Sequence, residues 1–242
     1  MNEMYLQTRL WSKGLQRCLI MGAVFLVLSG CGWWSKKSEI ARELERTPES
    51  LMTEGIDNYQ RKKYEKAIEA FQKLKDRYPY NQYAILAELK LADSYFLNKD
   101  YELAAMAYRD FEKLHPTNEI ISYVVFQLGM CYFKQMPTID RDQSYAFRAI
   151  QEFGRLIKNF PQSEYVSQAQ TNLIVAKKNL VSHEFYIGEF YFKGEKYEAA
   201  LARFESIPQQ FPDTPHPPKL TEYIRTCKEK IARLEAQKAK TP

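Results

Sequence analysis

The side chains that most often carry acid–base or metal chemistry are sparse in this sequence. It has three histidines, His115, His183 and His216, and none of them stands in the His-Glu-x-x-His spacing of a zinc site. The sequence also lacks Gly-x-Ser-x-Gly, phosphate-loop and Cys-x-x-Cys patterns. His115 and His216 stand beside prolines, so we expect both to be solvated loop residues. The sequence therefore predicts no enzymatic activity, no metal site and no dissociable cofactor.

The residue with the clearest chemistry is Cys31. It follows an apolar run, Cys18–Gly30, which is preceded by three basic residues, Arg9, Lys13 and Arg17. Because this run is shorter than the roughly 17 to 25 residues that cross a bilayer, it predicts a cleaved signal peptide over residues 1–30. The formal net charge of +5 gives no indication of nucleic-acid binding.

The four residues Leu28-Ser29-Gly30-Cys31 resemble the bacterial lipobox. By that resemblance, Cys31 is the lipid-modified first residue of the mature chain, and several acyl chains would make the anchoring effectively permanent. Gly32, where Asp would hold a lipoprotein at the inner membrane, favours the outer membrane. The alternative is a secretory protein with a chance cysteine at the cleavage site.

A repeat organises the rest of the chain. Four segments share a frame of a small residue, Ala, an aromatic residue and Pro: Gly55–Pro79, Ala92–Pro116, Gly129–Pro161 and Gly188–Pro212. This frame resembles the tetratricopeptide repeat, a pair of antiparallel helices of about 34 residues. It predicts an all-α fold, an α-solenoid of about five tetratricopeptide-like helix pairs, hence ten helices. Ala67, Ala104, Ala149 and Ala200 are expected at the helix crossings, and Phe71, Tyr108, Phe153 and Phe204 between the layers.

Two intervals depart from an ideal repeat. The third unit contains an extended turn, Lys134–Tyr145, and the fourth is preceded by the helical segment Ser163–Val181. Whether Ser163–Lys193 forms one helix or two stays open at this point. Because Cys131 and Cys227 would lie several helix layers apart, we expect two separate thiols, with Cys131 buried.

Helical repeats bind ligands on the concave surface formed by the first helix of each unit. Projecting the repeat frame onto that surface gives nine groove positions: Met52, Ile56 and Tyr59; Leu89, Asp93 and Phe96; Phe126, Met130 and Phe133. Edged by Lys90 and Lys134, this apolar groove suits an extended peptide with aromatic side chains and a terminal carboxylate. Tyr59, Phe96 and Phe133 share a phase and are the strongest candidates. Phe126 and Leu89 fit packing between helices equally well.

Four stretches of the sequence together resemble the BamD (ComL) family: Arg77–Ala84, His115–Gly129, Asp140–Phe153 and Phe211–Thr214. The resemblance implies a non-enzymatic lipoprotein subunit of the β-barrel assembly machinery, on the periplasmic face of a Gram-negative outer membrane. It further implies that the chain binds the POTRA region of a BamA-like barrel protein and the C-terminal aromatic signals of unfolded outer-membrane proteins. Arg203 matches a basic residue of the family that pairs with an acidic POTRA residue.

These expectations divide the chain into a signal peptide (1–30), a lipidated Cys with its linker (31–47), a client-binding half (48–161), a BamA-docking half with a capping helix (162–238) and a tail (239–242). Docking of another Bam lipoprotein, BamC, stays open because the tail after Leu234 is short and rich in Lys. The alternative function is that of another outer-membrane repeat lipoprotein, a secretin pilot or a coordinator of peptidoglycan synthesis.

Overall fold

The structure, a computed structural model, describes residues 46–239. Over this range it contains nine helices and no strand: α1 (Pro48–Gln60), α2 (Tyr64–Arg77), α3 (Ala84–Leu97), α4 (Tyr101–Leu114), α5 (Ile121–Lys134), α6 (Ser144–Asn159), α7 (Val166–Lys193), α8 (Tyr197–Gln210) and α9 (Leu220–Lys238). No helix in the described range is long and apolar enough to span a bilayer. Cys31 and the signal peptide lie outside the described residues.

From α2 onward each helix packs against the next one along the chain, and α1 contacts α2 through Gly55 and Tyr59, which confirms the predicted all-α repeat class. In three units the two helices are paired by a close contact between a glycine and an aromatic ring. A Cβ atom placed on Gly55, Gly129 or Gly188 would lie 2.4–2.7 Å from the ring of Phe71, Phe153 or Phe204. In these three units the missing side chain lets the two helices meet directly at the ring. In the second unit Ala92 takes the place of glycine.

The turns between the two helices of a unit repeat as well. Lys62, Lys99 and Glu195 occupy the same place in the frame, and all three have positive φ angles of 58°, 70° and 55°. In the turns that lead to the next unit, an asparagine side chain binds the backbone just before the following helix. Asn81 and Asn118 accept hydrogen bonds from the backbone N–H groups of Tyr83 and Ile120 at 3.0 and 3.1 Å. Such local side-chain bonds to the backbone two residues on stabilise the turn.

The extended turn of the third unit is ordered by one buried amide, that of Gln143. Its Nε2 donates to the carbonyls of Thr138 and Arg141 at 2.9 and 2.8 Å, and its Oε1 accepts from Asn179 of α7 at 2.7 Å. His183 Nδ1 donates to the carbonyl of Ile139 at 2.6 Å. The turn is therefore fastened to the long helix α7 at two places.

Two expectations from the sequence are corrected by the structure. Val166–Lys193 is a single helix of 28 residues, so the described range has nine helices and the expected count of ten is wrong. No proline interrupts this segment, and Gly188 is accommodated inside the helix against Phe204. His115 is not a solvated loop residue, because its Nε2 lies 2.8 Å from Glu88 Oε2 and its ring packs on Phe111. Cys131 and Cys227 are separate buried thiols, as expected.

Candidate functional site: the groove positions and Arg203

The nine groove positions are not equally accessible. Met52, Asp93 and Phe126 are only 8%, 3% and 6% exposed, so these three side chains are part of the protein interior. The other six are partly exposed: Ile56, Tyr59, Leu89, Phe96, Met130 and Phe133. For Phe126 the structure supports the packing alternative.

Tyr59, Phe96 and Phe133, which stand at the same place in the repeat, pack against the second helix of their own unit. The ring of Tyr59 meets Tyr64 edge to face, with centroids 6.1 Å apart, and Phe96 meets Tyr101 in the same way at 5.4 Å. In the third unit, where the extended turn intervenes, Phe133 packs on Phe153 at 6.0 Å. These rings therefore hold the helix pairs together and offer only part of their surface to a ligand.

Asp93 is the centre of a polar network inside the groove. Its Oδ1 accepts hydrogen bonds from the hydroxyls of Tyr108 and Tyr123, both at 2.8 Å, and its Oδ2 accepts from Lys90 Nζ at 2.8 Å. Burial and the charge of Asp93 raise the pKa values of both tyrosines. Burial lowers the pKa of Lys90, but the hydrogen bond to Asp93 and the negative charge of that carboxylate, with a smaller contribution from Tyr59, together outweigh burial and raise it.

Tyrosines near the start of each following helix cover the groove positions. Tyr123, in the first turn of α5, reaches Asp93 of the second unit. Tyr165, directly before α7, stacks on Phe126 of the third unit with the ring centroids 5.1 Å apart and also packs on Tyr123 at 5.6 Å. In both units a ring from the start of the next unit thus lies against a groove position.

The fourth unit shows the same arrangement most completely. The groove frame, carried into α7, gives Phe185, Glu189 and Phe192. Tyr223 of α9 packs on both phenylalanines, at 5.6 and 4.9 Å, and its hydroxyl donates to Glu189 Oε1 at 3.0 Å. Sequence reasoning missed these covering tyrosines because they lie outside the repeat frame; the signal is a Tyr near the start of each following helix.

The first unit differs in this respect: Tyr83 stands directly before α3 as Tyr165 does before α7, but within residues 46–239 its ring contacts no other aromatic ring. The residue of α3 that corresponds to Tyr123 is Leu86, which is 43% exposed. Within the described part of the chain, Tyr59 has one aromatic neighbour, Tyr64 of its own unit. Lys90 lies over its ring instead, with Nζ 5.1 Å from the ring centroid. The first unit therefore presents an aromatic ring with an ammonium group over it, and the exposed Leu86 stands one helical turn before Lys90 on α3.

Arg203 lies far along the chain from these positions, on α8. Its Nη1 donates to Glu184 Oε2 on α7 at 3.0 Å. The Arg203 side chain is 46% exposed, whereas that of Glu184 is 17% exposed. In chemical terms, the groove positions and Arg203 are suited to binding peptides and carboxylates. No group of three or more His, Cys, Asp or Glu in residues 46–239 is placed to hold a metal ion.

Comparisons with known proteins agree with this description. Residues 44–241 match the family described as "YfiO: Outer membrane lipoprotein". Three relatives are each named "Outer membrane protein assembly factor BamD". The protein of Rickettsia prowazekii is 32% identical, and the match covers 85% of this chain and 79% of the relative. That of Caulobacter vibrioides is 26% identical, covering 79% and 63%, and that of Vibrio cholerae is 27% identical, covering 69% and 73%.

The family match covers most of the described chain, and the Rickettsia relative shares nearly a third of its residues over four fifths of its own length. Both findings confirm the resemblance that the sequence carries. The chain belongs to the YfiO family of outer membrane lipoproteins, and the relatives named here are BamD assembly factors.

Proposed function

We propose that this chain, an outer membrane protein assembly factor of the BamD family, works without catalysis by binding two kinds of protein at two separate places. The first repeat unit captures aromatic C-terminal ends of unfolded outer-membrane proteins. The surface around Arg203 docks the POTRA region of a BamA-like barrel protein. A lipid on Cys31 holds the chain at the periplasmic face of the outer membrane, where this attachment raises the local concentration of both partners.

One observation carries the assignment of the first unit. The second, third and fourth units each have a tyrosine of the chain itself in contact with a groove position. In the first unit the residue that corresponds to Tyr123 is the exposed Leu86, and Tyr83, which corresponds to Tyr165, makes no aromatic contact within residues 46–239. An aromatic side chain of a client can take there the place that Tyr123 takes in the second unit.

The charge at this position also fits a chain terminus. Lys90 uses one of its three N–H donors for Asp93 and lies over Tyr59, with about a quarter of its side chain exposed. A terminal carboxylate next to a C-terminal Phe or Tyr can accept a hydrogen bond from this ammonium group. We therefore expect the client to bind through both its last aromatic ring and its free carboxylate.

A titration of the full lipoprotein in detergent tests the assignment. The probes are a peptide of ten residues that ends in Phe with a free carboxylate, the same peptide with an amidated end, and the same peptide ending in Ala. We expect the first to bind and the other two to bind at least about tenfold more weakly, because each loses one of the two contacts.

The decisive variant is Leu86→Tyr, which gives the first unit a tyrosine of its own where Tyr123 stands in the next repeat. It should abolish peptide binding while the protein stays folded. Leu103→Tyr is the matched control, since Leu103 is also an exposed leucine, 47% accessible, on the second helix of a unit. Unchanged peptide binding by Leu86→Tyr would overturn the assignment of the first unit.

The docking surface is tested separately with Arg203→Ala. Pull-down of the BamA-like protein from detergent-solubilised envelopes should fall markedly for this variant and stay unchanged for Leu86→Tyr. Equal recovery of the BamA-like protein by Arg203→Ala and by the wild type would remove Arg203 from the docking surface. Recovery of a secretin or of a peptidoglycan synthase in place of a POTRA-barrel protein would favour the alternative function.

A further inference from the structure

The ion pair between Arg203 and Glu184 differs from the other ion pairs of the last two helices. Glu184 is largely enclosed on α7, while Arg203 reaches it from α8 with nearly half of its side chain exposed. In contrast, Arg225 and Glu229 lie on one helix and are 66% and 60% exposed. Because the Glu184 carboxylate is already enclosed, forming this ion pair costs less side-chain entropy than forming a pair between two fully exposed side chains.

The spacing of α7 and α8 fixes this pair. Gly188 leaves room for the ring of Phe204, since a Cβ there would lie 2.4 Å from that ring. Arg203 is the residue directly before Phe204 on α8. Glu184 lies one helical turn before Gly188 on α7. Residues four apart lie on one face of a helix, so Glu184 and Gly188 both face α8, and the Glu184 carboxylate meets Arg203 one turn from the contact of Gly188 with Phe204.

The guanidinium group keeps donors for a second carboxylate. An arginine has five N–H donors, and within residues 46–239 the Glu184 carboxylate is the one acceptor that binds the Arg203 side chain. The remaining donors belong to a side chain that is half exposed. A carboxylate from another protein can reach them without displacing Glu184.

We infer that Glu184 is a positioning residue: it holds the Arg203 guanidinium in the orientation in which it binds a carboxylate of the docking partner. This inference rests on the proposed docking role of Arg203. A long side chain that is already fixed loses less entropy when the partner binds. The negative charge of Glu184 also weakens the attraction of Arg203 for a second carboxylate, and the affinities of the Glu184 variants show which of the two effects is larger.

Affinity measurements with three variants of Glu184 and Arg203 separate positioning from competition. The full lipoprotein in detergent is titrated with the purified POTRA region of the BamA-like protein. Glu184→Ala should weaken binding about five- to tenfold, because Arg203 then has to be ordered by the partner. Glu184→Gln should stay within about twofold of the wild type, because its amide oxygen still accepts from Arg203. If Glu184 instead competed with the partner, both variants would bind more tightly.

A double-mutant cycle excludes a general effect on the fold. In the Arg203→Ala background, Glu184→Ala should cause no further loss of affinity, whereas two independent effects would multiply. Glu205→Ala is the matched control, since it removes another ion pair between helices, Lys228 with Glu205, and should leave affinity unchanged. If Arg203→Ala weakens binding and Glu184→Ala does not, the positioning role is wrong while the docking role stands. If Arg203→Ala itself has no effect, the proposed docking role fails first.

Discussion

The hydroxyl of Tyr223 donates a hydrogen bond to Glu189 at 3.0 Å, and this contact joins the last helix to the groove frame of the fourth unit. The ring of Tyr223 also stacks on Phe204 with centroids 5.0 Å apart, beside Phe185 and Phe192. The capping helix thus uses one tyrosine to close a surface that the next unit of a longer array would cover.

Removing this ring should destabilise the C-terminal half of the chain. We expect Tyr223→Ala to lower the free energy of unfolding by about 3 kcal/mol, because a large aromatic contact area is lost. Tyr223→Phe should cost only about 1 kcal/mol, the value of a typical hydrogen bond. Urea denaturation followed by circular dichroism measures both. Equal losses for the two variants would show that the hydrogen bond, and not the ring, carries the contact.

The glycines at the helix crossings should not tolerate even a methyl group. A Cβ at position 129 would lie 2.7 Å from the ring of Phe153, which is fully buried and has no room to move. We expect Gly129→Ala to destabilise the protein by about 1–3 kcal/mol through overpacking.

Gly154 provides the opposite case on α6. A Cβ there meets nothing within 4 Å. Gly154→Ala should therefore stabilise the protein by about 0.5–1 kcal/mol, because alanine is the better helix former. Thermal unfolding of the two variants should shift in opposite directions. A stabilising Gly129→Ala would contradict the tight helix contact.

These glycine and aromatic positions are the part of the fold that the sequence predicted well. The places of Gly55 and Phe71 hold a small residue and an aromatic residue in every unit, Ala92 and Tyr108 in the second, because the same close helix contact recurs and only small residues permit it. The long helix α7 was harder to predict. It packs against two helices, α6 and α8. The sequence has no helix stop or start signal between the parts of α7 that make these two contacts.

The candidate site was predicted less well than the fold. In the sequence Asp93 resembles a solvated groove residue, and its burial becomes understandable only with the hydroxyls of Tyr108 and Tyr123, which lie in other helices. Such long-range hydrogen bonds leave no local pattern. The same reason applies to His115: its contact with Glu88, 27 residues away, leaves no local pattern, and the neighbouring proline alone predicts a loop residue.

The tyrosines around Asp93 should make the free energy of unfolding decrease as the pH becomes alkaline. Burial and the charge of Asp93 raise the pKa of Tyr123 above its ordinary value of 10.0. The folded protein then keeps the phenolic proton at a pH at which the unfolded chain releases it. This contribution to stability is complete below the unfolded pKa and is lost as the pH rises above about 10 toward the folded value.

Comparison with Tyr123→Phe isolates this contribution. Between pH 9 and pH 11 the wild type should lose about 1.4 kcal/mol more of its unfolding free energy than Tyr123→Phe, since one ionisable phenol is absent from the variant. Urea denaturation at several pH values measures the difference. Parallel pH profiles for the two proteins would mean that the pKa of Tyr123 is the same in the folded and unfolded chains.

The amide of Gln143 should control the order of the extended turn between α5 and α6. It is buried and binds Thr138, Arg141 and Asn179, so its removal leaves two carbonyls and one amide without their partner. We expect Gln143→Ala to lower the free energy of unfolding by about 2–3 kcal/mol. Hydrogen exchange of the backbone from Lys134 to Tyr145 should accelerate more than that of α2, because the loss is local.

Asn179→Ala is the graded control for this turn, since it removes only the contact to α7 at 2.7 Å and leaves both hydrogen bonds within the turn intact. It should cost about 1 kcal/mol and accelerate exchange in the turn less than Gln143→Ala does. If Asn179→Ala freed the turn as fully as Gln143→Ala, the anchoring to α7 would be the main cause of its order. Unchanged exchange in both variants would mean that the turn is held by its backbone and by His183, whose ring donates to the carbonyl of Ile139.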